Sequence, residues 1–229
     1  VGPKKPVKTA EFNYIRRNGR FTKAQKIAYE NLYSKYRADL GRLSSLTRPF
    51  GLEVGFGMGA QFVEWACSVS DDWHLIGVEL YKPGIGAMLS KADKLGLSNF
   101  SFIDQPIQAF LGDIASEGID EVRIFFPDPW PKKKHAKRRL INTEFVDELS
   151  KKMAAGASLT IATDWQQYAL EITSIIDASN AFILKEDAAD SSSPLEMGGG
   201  YSGQTKFEAR GIGLGHSIWH LAYTKKKEI

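Results

Sequence analysis

The stretch LEVGFGMGAQF, Leu52 to Phe62, decides the fold. It is apolar around one acid up to Val54, turns on glycines at 55, 57 and 59, and then reads helical over residues 60–69. A short strand (FGLEV, 50–54) that passes through a glycine turn into a helix is the opening of a strand–helix–strand unit. Glycine there permits a tight turn and lets a ligand approach the backbone closely. The spacing G-x-G-x-G is one residue short of the dinucleotide fingerprint. Taken alone, the turn is as compatible with a structural role as with a binding one.

The pattern continues outward from this unit. HLIGVEL (74–80) reads as a strand and Lys82 to Leu95 as a helix. FSFI (100–103) is a strand followed by a short helix, and VRIFF (122–126) is another strand. Asn142 is placed to cap a helix whose Phe145, Val146, Leu149 and Met153 share one face. SLTIAT (158–163) is a strand, residues 165–178 a helix, and AFILK (181–185) and SIWHLAYT (217–224) are closing strands. Thr22 and Gln25 have the spacing of a capping box ahead of another helix. Strands alternating with helices predict an α/β fold: a mostly parallel, seven-stranded sheet covered on both faces. The last two strands are expected to pair antiparallel at one edge. Between them, residues 187–204 read as a turn-rich, mobile loop.

Charge is distributed unevenly. Residues 1–48 carry 12 Lys/Arg against 3 Asp/Glu, and residues 132–139 carry six cations and no acid. With the chain at +3 overall, the remainder is strongly acidic. Polyanion binding is therefore confined to a basic face rather than spread over the surface. The division predicted is a basic N-terminal extension with a helix (1–45) and one α/β domain (46–229). A single cysteine, Cys67, excludes an internal disulfide and points to a reducing, cytoplasmic setting. No apolar run is long enough for a membrane span, and no secretory leader is seen ahead of residue 20.

In open sheets of this class, ligands bind beyond the carboxyl ends of the strands. Glu79 ends the second strand, 24 residues after Gly55, where an acid can accept both hydroxyls of a ribose. A solvent-facing glutamate is the alternative. Glu53 lies within an apolar strand, and a carboxylate there is costly to bury unless it is paired. A cationic ligand is one natural partner. The acid at 53 and the missing glycine favour a positively charged adenosine ligand over a pyrophosphate-bearing one. A second stretch, FFPDPWPKKKHAKRR (125–139), carries Asp128 off a strand end between Pro127 and Pro129, then turns densely basic. Prolines stiffen the backbone on either side of the acid, and Trp130 can stack or pack nearby. A proline turn capped by a core tryptophan is the alternative. Asp164 also follows a strand, and there a helix N-cap is the competing role. His135 reads as a surface histidine of the basic run, and His216 and His220 as structural, so no metal site is expected.

LEVGFGMG, GVEL, FFPDPWPKKKHAKRR, ATDW (162–165) and TKFEARG (205–211) together resemble the bacterial tRNA (guanine-N7-)-methyltransferases. The resemblance runs in order from about Tyr14 to the C-terminus. It implies a Rossmann-like class I methyltransferase fold, S-adenosylmethionine as methyl donor, and a guanine of the tRNA variable loop, nucleotide 46, as target. It implies a monomer or homodimer with no metal. By the resemblance, Glu53, Gly55, Gly57, Gly59 and Glu79 hold the donor, and Asp128 is the central acid. Lys132, Asp164 and Thr205, Lys206, Phe207 and Glu208 meet the substrate, and Lys134, His135, Lys137, Arg138 and Arg139 meet RNA. The family places an acid after the third strand to hold the adenine amino group; the matching position here is Pro106, with Gln105 and Asp104 just before it as possible substitutes.

Guanine N7 offers a free lone pair and carries no proton, so its methylation requires no obligatory base. Alignment of the partners is then the main source of rate, worth up to roughly 7–11 kcal/mol. A carboxylate beside the purine stabilises its ring as positive charge moves onto it, which suits Asp128. Phosphate contacts from the basic run would set register, while base contacts choose the nucleotide. The rival readings are a nicotinamide dehydrogenase, a methyltransferase on another RNA, a protein or a small molecule, and a non-catalytic RNA-binding protein. The dehydrogenase wants the longer glycine motif; the binding module leaves the glycine turn and Glu79 unexplained.

Overall fold

The computed structural model describes residues 19–45, 49–185 and 217–227. The stretches 187–204 and 205–211, and most of the segment before the first helix, lie outside the described residues. Within them, seven strands form one sheet in the order β3-β2-β1-β4-β5-β7-β6. The strands are β1 (Phe50–Val54), β2 (His74–Val78), β3 (Phe100–Ile103), β4 (Ile119–Phe125), β5 (Met153–Thr163), β6 (Phe182–Leu184) and β7 (Trp219–Lys225). The helices are α1 (Lys23–Tyr36), α2 (Ala60–Ser68), α3 (Lys82–Lys94), α4 (Thr143–Lys152) and α5 (Gln166–Ser179).

β1 to β5 pair in parallel. Every residue of β1 is buried, as an inner strand covered on both faces requires. Two cores result, one on each face. Leu52, Val54, Val122 and Ile124 pack with Phe145, Leu149, Tyr168 and Ile172 of α4 and α5. On the opposite face Leu75, Phe100 and Phe102 pack with Phe62, Trp65, Ile85 and Met88 of α2 and α3. The order reverses between β1 and β4, so the sheet has its topological switch point there.

The local signals act as expected. Thr22 and Gln25 form a reciprocal capping box at α1. The Asn142 side chain accepts from Phe145 N at 3.0 Å and starts α4. Phe145, Val146 and Leu149 bury its apolar face, at roughly 1.5–3 kcal/mol each. Met153 does not extend that face. The helix stops at Lys152, and Met153 opens β5, buried opposite Ile119. The β4–β5 register then shifts between Ile119 and Glu121, where Gly156 takes φ 85°. β4 accordingly begins three residues before the predicted Val122. β6 and β7 do pair antiparallel, but β7 also lies antiparallel to β5, so the last strand of the chain is inserted between the two before it. α1 packs over α3, and the segment leaving it joins the sheet edge through Ala38 N, which donates to Phe102 O at 2.9 Å.

Candidate active site

The carboxyl ends of four strands lie side by side. Val54 is in register with Val78 and with Ile124, and Phe125 with Ala162. The glycine turn, Glu79, Asp128 and Asp164 leave these ends in adjacent positions on one sheet edge, around the switch point.

On the β1–β2 side the backbone does most of the building. Gly55, Gly57 and Gly59 take φ of 83°, 56° and 70°, the left-handed region that glycine enters without strain. The Glu79 carboxylate is fastened into this turn: Oε2 accepts from Gly57 N at 2.7 Å, and Oε1 from Leu80 N at 2.7 Å and Tyr81 N at 2.9 Å. Nothing stands within 4 Å of where a Cβ on Gly55 or Gly57 would be, so the turn is open to a ligand. From behind, α3 presses so close that a Cβ on Gly84 would stand 2.1 Å from Gly57 O.

Glu53 is 2% exposed, and its Oε2 is buried without a hydrogen-bond partner among the described residues. Burial pushes its carboxyl up to about 8, opposed by Arg123 and reinforced by Glu79. Arg123 gives its Nε to Glu121 at 2.7 Å and lies 3.9 Å over the Trp65 ring. An orphaned buried acid beside an open glycine cradle fits a ligand that brings positive charge.

The segment after β3 divides its three residues. Asp104 accepts from Tyr33 Oη at 2.9 Å and Arg37 Nε at 3.3 Å, which ties the strand end to α1. Gln105 is half-buried, and Pro106 opens the turn Ile107–Ala109 with no side-chain cap. Of the two substitutes for the missing acid, Asp104 is committed to α1.

On the β4–β5 side the backbone is strained and the acid is exposed. Phe126 and Trp130 take φ of 51° and 40°, a region costly for bulky residues, of order 1–3 kcal/mol each. Such strain is held only where the surroundings over-determine it. Phe126 N donates to Ala162 O at 2.8 Å at one end of the loop. Arg139 holds the other: Nε donates to Pro129 O at 2.7 Å and Nη2 to Trp130 O at 3.3 Å. Its Nη1 pairs with Glu171 on α5, and its guanidinium lies 5.2 Å over the Tyr168 ring. Burial raises the Tyr168 phenol far above its ordinary value, with Glu171 and Asp128 adding to the effect. Asp128 itself is exposed.

The basic run forms a 3-10 turn over Lys133–Arg138. Lys132, Lys133, Lys134 and Lys137 are exposed. His135 meets the Trp130 ring edge-on at 5.7 Å, and Arg138 lies 5.0 Å over it. Arg139, grouped by sequence with the RNA contacts, has a side chain only 9% exposed and paired with Glu171. Asp164 is half-buried between β5 and α5. The N-cap of α5 is Trp165, without a side-chain cap, and Asp164 stands one residue before it. Thr205 to Glu208 lie outside the described residues.

A family model described as "Putative methyltransferase" matches residues 47–221. The chain is 38% identical over 221 residues to a tRNA (guanine-N(7)-)-methyltransferase of Nitrosomonas eutropha, spanning 93% of this chain and 96% of that one. The chain belongs to the tRNA (guanine-N7-)-methyltransferase family. Another member, from Photobacterium profundum, is 35% identical over 227 residues, 93% of this chain and 88% of its own. Among solved structures, the chain is similar to the 16S rRNA methyltransferase KamB, with TM-score 0.54, 15% identity, and 91% and 96% of the two chains covered. It is also similar to a mutant 16S rRNA (adenine(1408)-N(1))-methyltransferase from Catenulisporales acidiphilia with cosubstrate SAM, with TM-score 0.52, 15% identity, and 82% and 90% covered. These likenesses are of fold, the Rossmann-like class I methyltransferase fold.

Among the described residues of this family member, no group of three or more His, Cys, Asp or Glu could hold a metal ion, and no helix is long and apolar enough to cross a membrane. Two features escaped the sequence reading, the Arg139–Glu171 brace and the Asp104 tie to α1. Their partners lie 32 residues apart in the brace, and 67 and 71 apart in the tie, so no local spacing announces them.

Proposed function

We propose that the chain transfers a methyl group from S-adenosylmethionine to N7 of guanine 46 in the variable loop of tRNA. The reading is carried by one observation: Asp128 and the Glu53–Gly57–Glu79 turn open on adjacent strand ends at the switch point, in a chain matching named tRNA methyltransferases over 93% of its length. S-adenosylmethionine would supply an electrophilic methyl on a cationic sulfur. Glu53 answers the positive charge of the donor, and its carboxyl ionises as that charge arrives. Glu79, held by three backbone N–H groups, faces the ribose, and Gln105 takes the adenine contact in place of the family's acid at Pro106.

Guanine enters over the exposed Asp128. The carboxylate orients the base edge and stabilises the ring as it becomes cationic, a preorganised electrostatic contribution. Asp164 and Lys132 meet the substrate. The exposed Lys134 and Lys137 meet phosphates, with His135 and Arg138 packed on Trp130 behind them. Bulk tRNA incubated with labelled donor should yield 7-methylguanosine, lost when nucleotide 46 is changed from guanine. Label in any other nucleoside, or retained after that change, would refute the assignment.

A further inference from the structure

We propose that Arg139 is a positioning residue for the methyl transfer: it fixes Asp128 through the carbonyls of Pro129 and Trp130, and Glu171 fixes Arg139. The inference rests on the assignment of Asp128 above. The loop from Phe126 to Trp130 is poor in backbone donors. Pro127 and Pro129 have no N–H to give, and the aromatic residues at its two ends stand at positive φ. The two carbonyls after Asp128 instead share one guanidinium, at 2.7 and 3.3 Å. A planar fork can serve two acceptors and a carboxylate together; a lysine ammonium is a point charge without that geometry.

The anchor comes from α5. Glu171 lies about one and a half turns into α5, which begins two residues after Asp164, and Tyr168, fully buried on the same helix, lies against the guanidinium. Tyr168 in turn accepts from Ile141 N at 3.2 Å, so the chain leaving the basic turn is fastened to the same point. One side chain therefore relates the loop of Asp128 to the helix that follows Asp164. Glu171 also cancels the charge of Arg139, so the brace does not oppose the positive charge that develops on guanine.

The test is single-turnover methyl transfer by Arg139→Gln, Arg139→Lys and Glu171→Gln, alongside donor affinity, tRNA affinity as a function of salt, and thermal melting. Arg139→Gln should slow the chemical step about 10²-fold, the scale of a misplaced catalytic group. Arg139→Lys should recover little, and Glu171→Gln should lose about 10-fold by the same displacement. Donor affinity, tRNA affinity and the salt slope should stay within about twofold of wild type, because the fork touches neither ligand. A salt slope lowered as for a phosphate contact, or an unchanged single-turnover rate, would overturn the proposal. Residues acting through one another are non-additive, so Arg139→Gln should cost little further in an Asp128→Ala background. Full additivity there would assign Arg139 to stability alone. Should Arg139→Gln fail to fold, the Glu171→Gln and Asp128→Ala pair carries the same comparison. If Asp128→Ala itself transfers methyl at the wild-type rate, the acid assignment fails; if Asp128→Ala is inactive while Arg139 variants are fast, the positioning role alone fails.

Discussion

At the ends of β1 and β2, Glu53 is buried and Glu79 accepts three backbone N–H groups from residues no more than 22 positions away. At the ends of β4 and β5, Asp128 is exposed on a strained loop held at one end by Ala162 O and at the other by a side-chain fork from Arg139, anchored on α5. The first half is preformed by glycine conformation and backbone donors, as suits a small ligand enclosed by the fold. The openness of the second half suits a base carried on a folded RNA, as the proposed function requires. Its precision then has to come from side chains that reach across the surface. Function should accordingly be lost in different ways on the two sides: donor affinity on the first, rate and RNA affinity on the second.

The largest expected effect is on the open side. Asp128→Ala should lower single-turnover methyl transfer by about 10²–10³, the scale for one preorganised electrostatic group. Donor affinity and melting temperature should stay at wild type. Asp128→Asn sharpens the comparison: activity near wild type would make the residue an orienting acceptor, whereas activity as low as alanine would make its charge the working part.

Next is the pH dependence of Glu53. Its folded carboxyl titrates near 8, above the ordinary 4.5, so between about pH 5 and 8 the unfolded chain is ionised there while the folded one is protonated. The ligand-free protein should lose stability from this group as pH rises through that window. Glu53→Gln should remove that slope, leaving stability unchanged near pH 5 and higher near pH 8, by on the order of a few kcal/mol. Denaturant midpoints at the two pH values measure it; a parallel decline in both proteins would place the proton elsewhere.

On the same side, Glu79→Ala should weaken S-adenosylmethionine binding by roughly 1–3 kcal/mol in calorimetry, the scale of lost charge-assisted hydrogen bonds. tRNA affinity should not move. Equal losses for both ligands would erase the distinction between the two halves.

The smallest effect is a slope. Each phosphate contact removed by Lys134→Ala or Lys137→Ala should lower the log–log salt dependence of tRNA affinity by about 0.7–0.9. Arg139→Gln, although it belongs to the same basic run, should leave the slope unchanged because its charge is turned inward and paired. Identical slopes in all three would dissolve the separation between the exposed lysines and the brace.

How a charged residue is used marks where sequence reading stopped. Lys134 and Arg139 look alike in KKKHAKRR, yet one is exposed and the other is 9% exposed, held by a glutamate 32 residues on. Asp104 and Gln105 are equally placed in sequence as adenine contacts, but Tyr33 of α1 and Arg37 at its C-cap bind Asp104. Met153 continues the apolar face of α4 in sequence, but its pairing with Ile119 starts a strand.

What the chain settled by itself is what acts over a few residues. The three glycines after β1, the Thr22–Gln25 box, the Asn142 cap and the apolar runs of the inner strands each specify local backbone by sterics, capping or burial. Their alternation was enough for a parallel sheet with acids delivered to its strand ends. Tertiary structure alone decided the insertion of β7 beside β5, the burial of Glu53 without a partner, and the turning inward of Arg139. The reason is that a buried charge or a strand neighbour is defined by atoms far away in the chain, and desolvation is settled only when those atoms arrive.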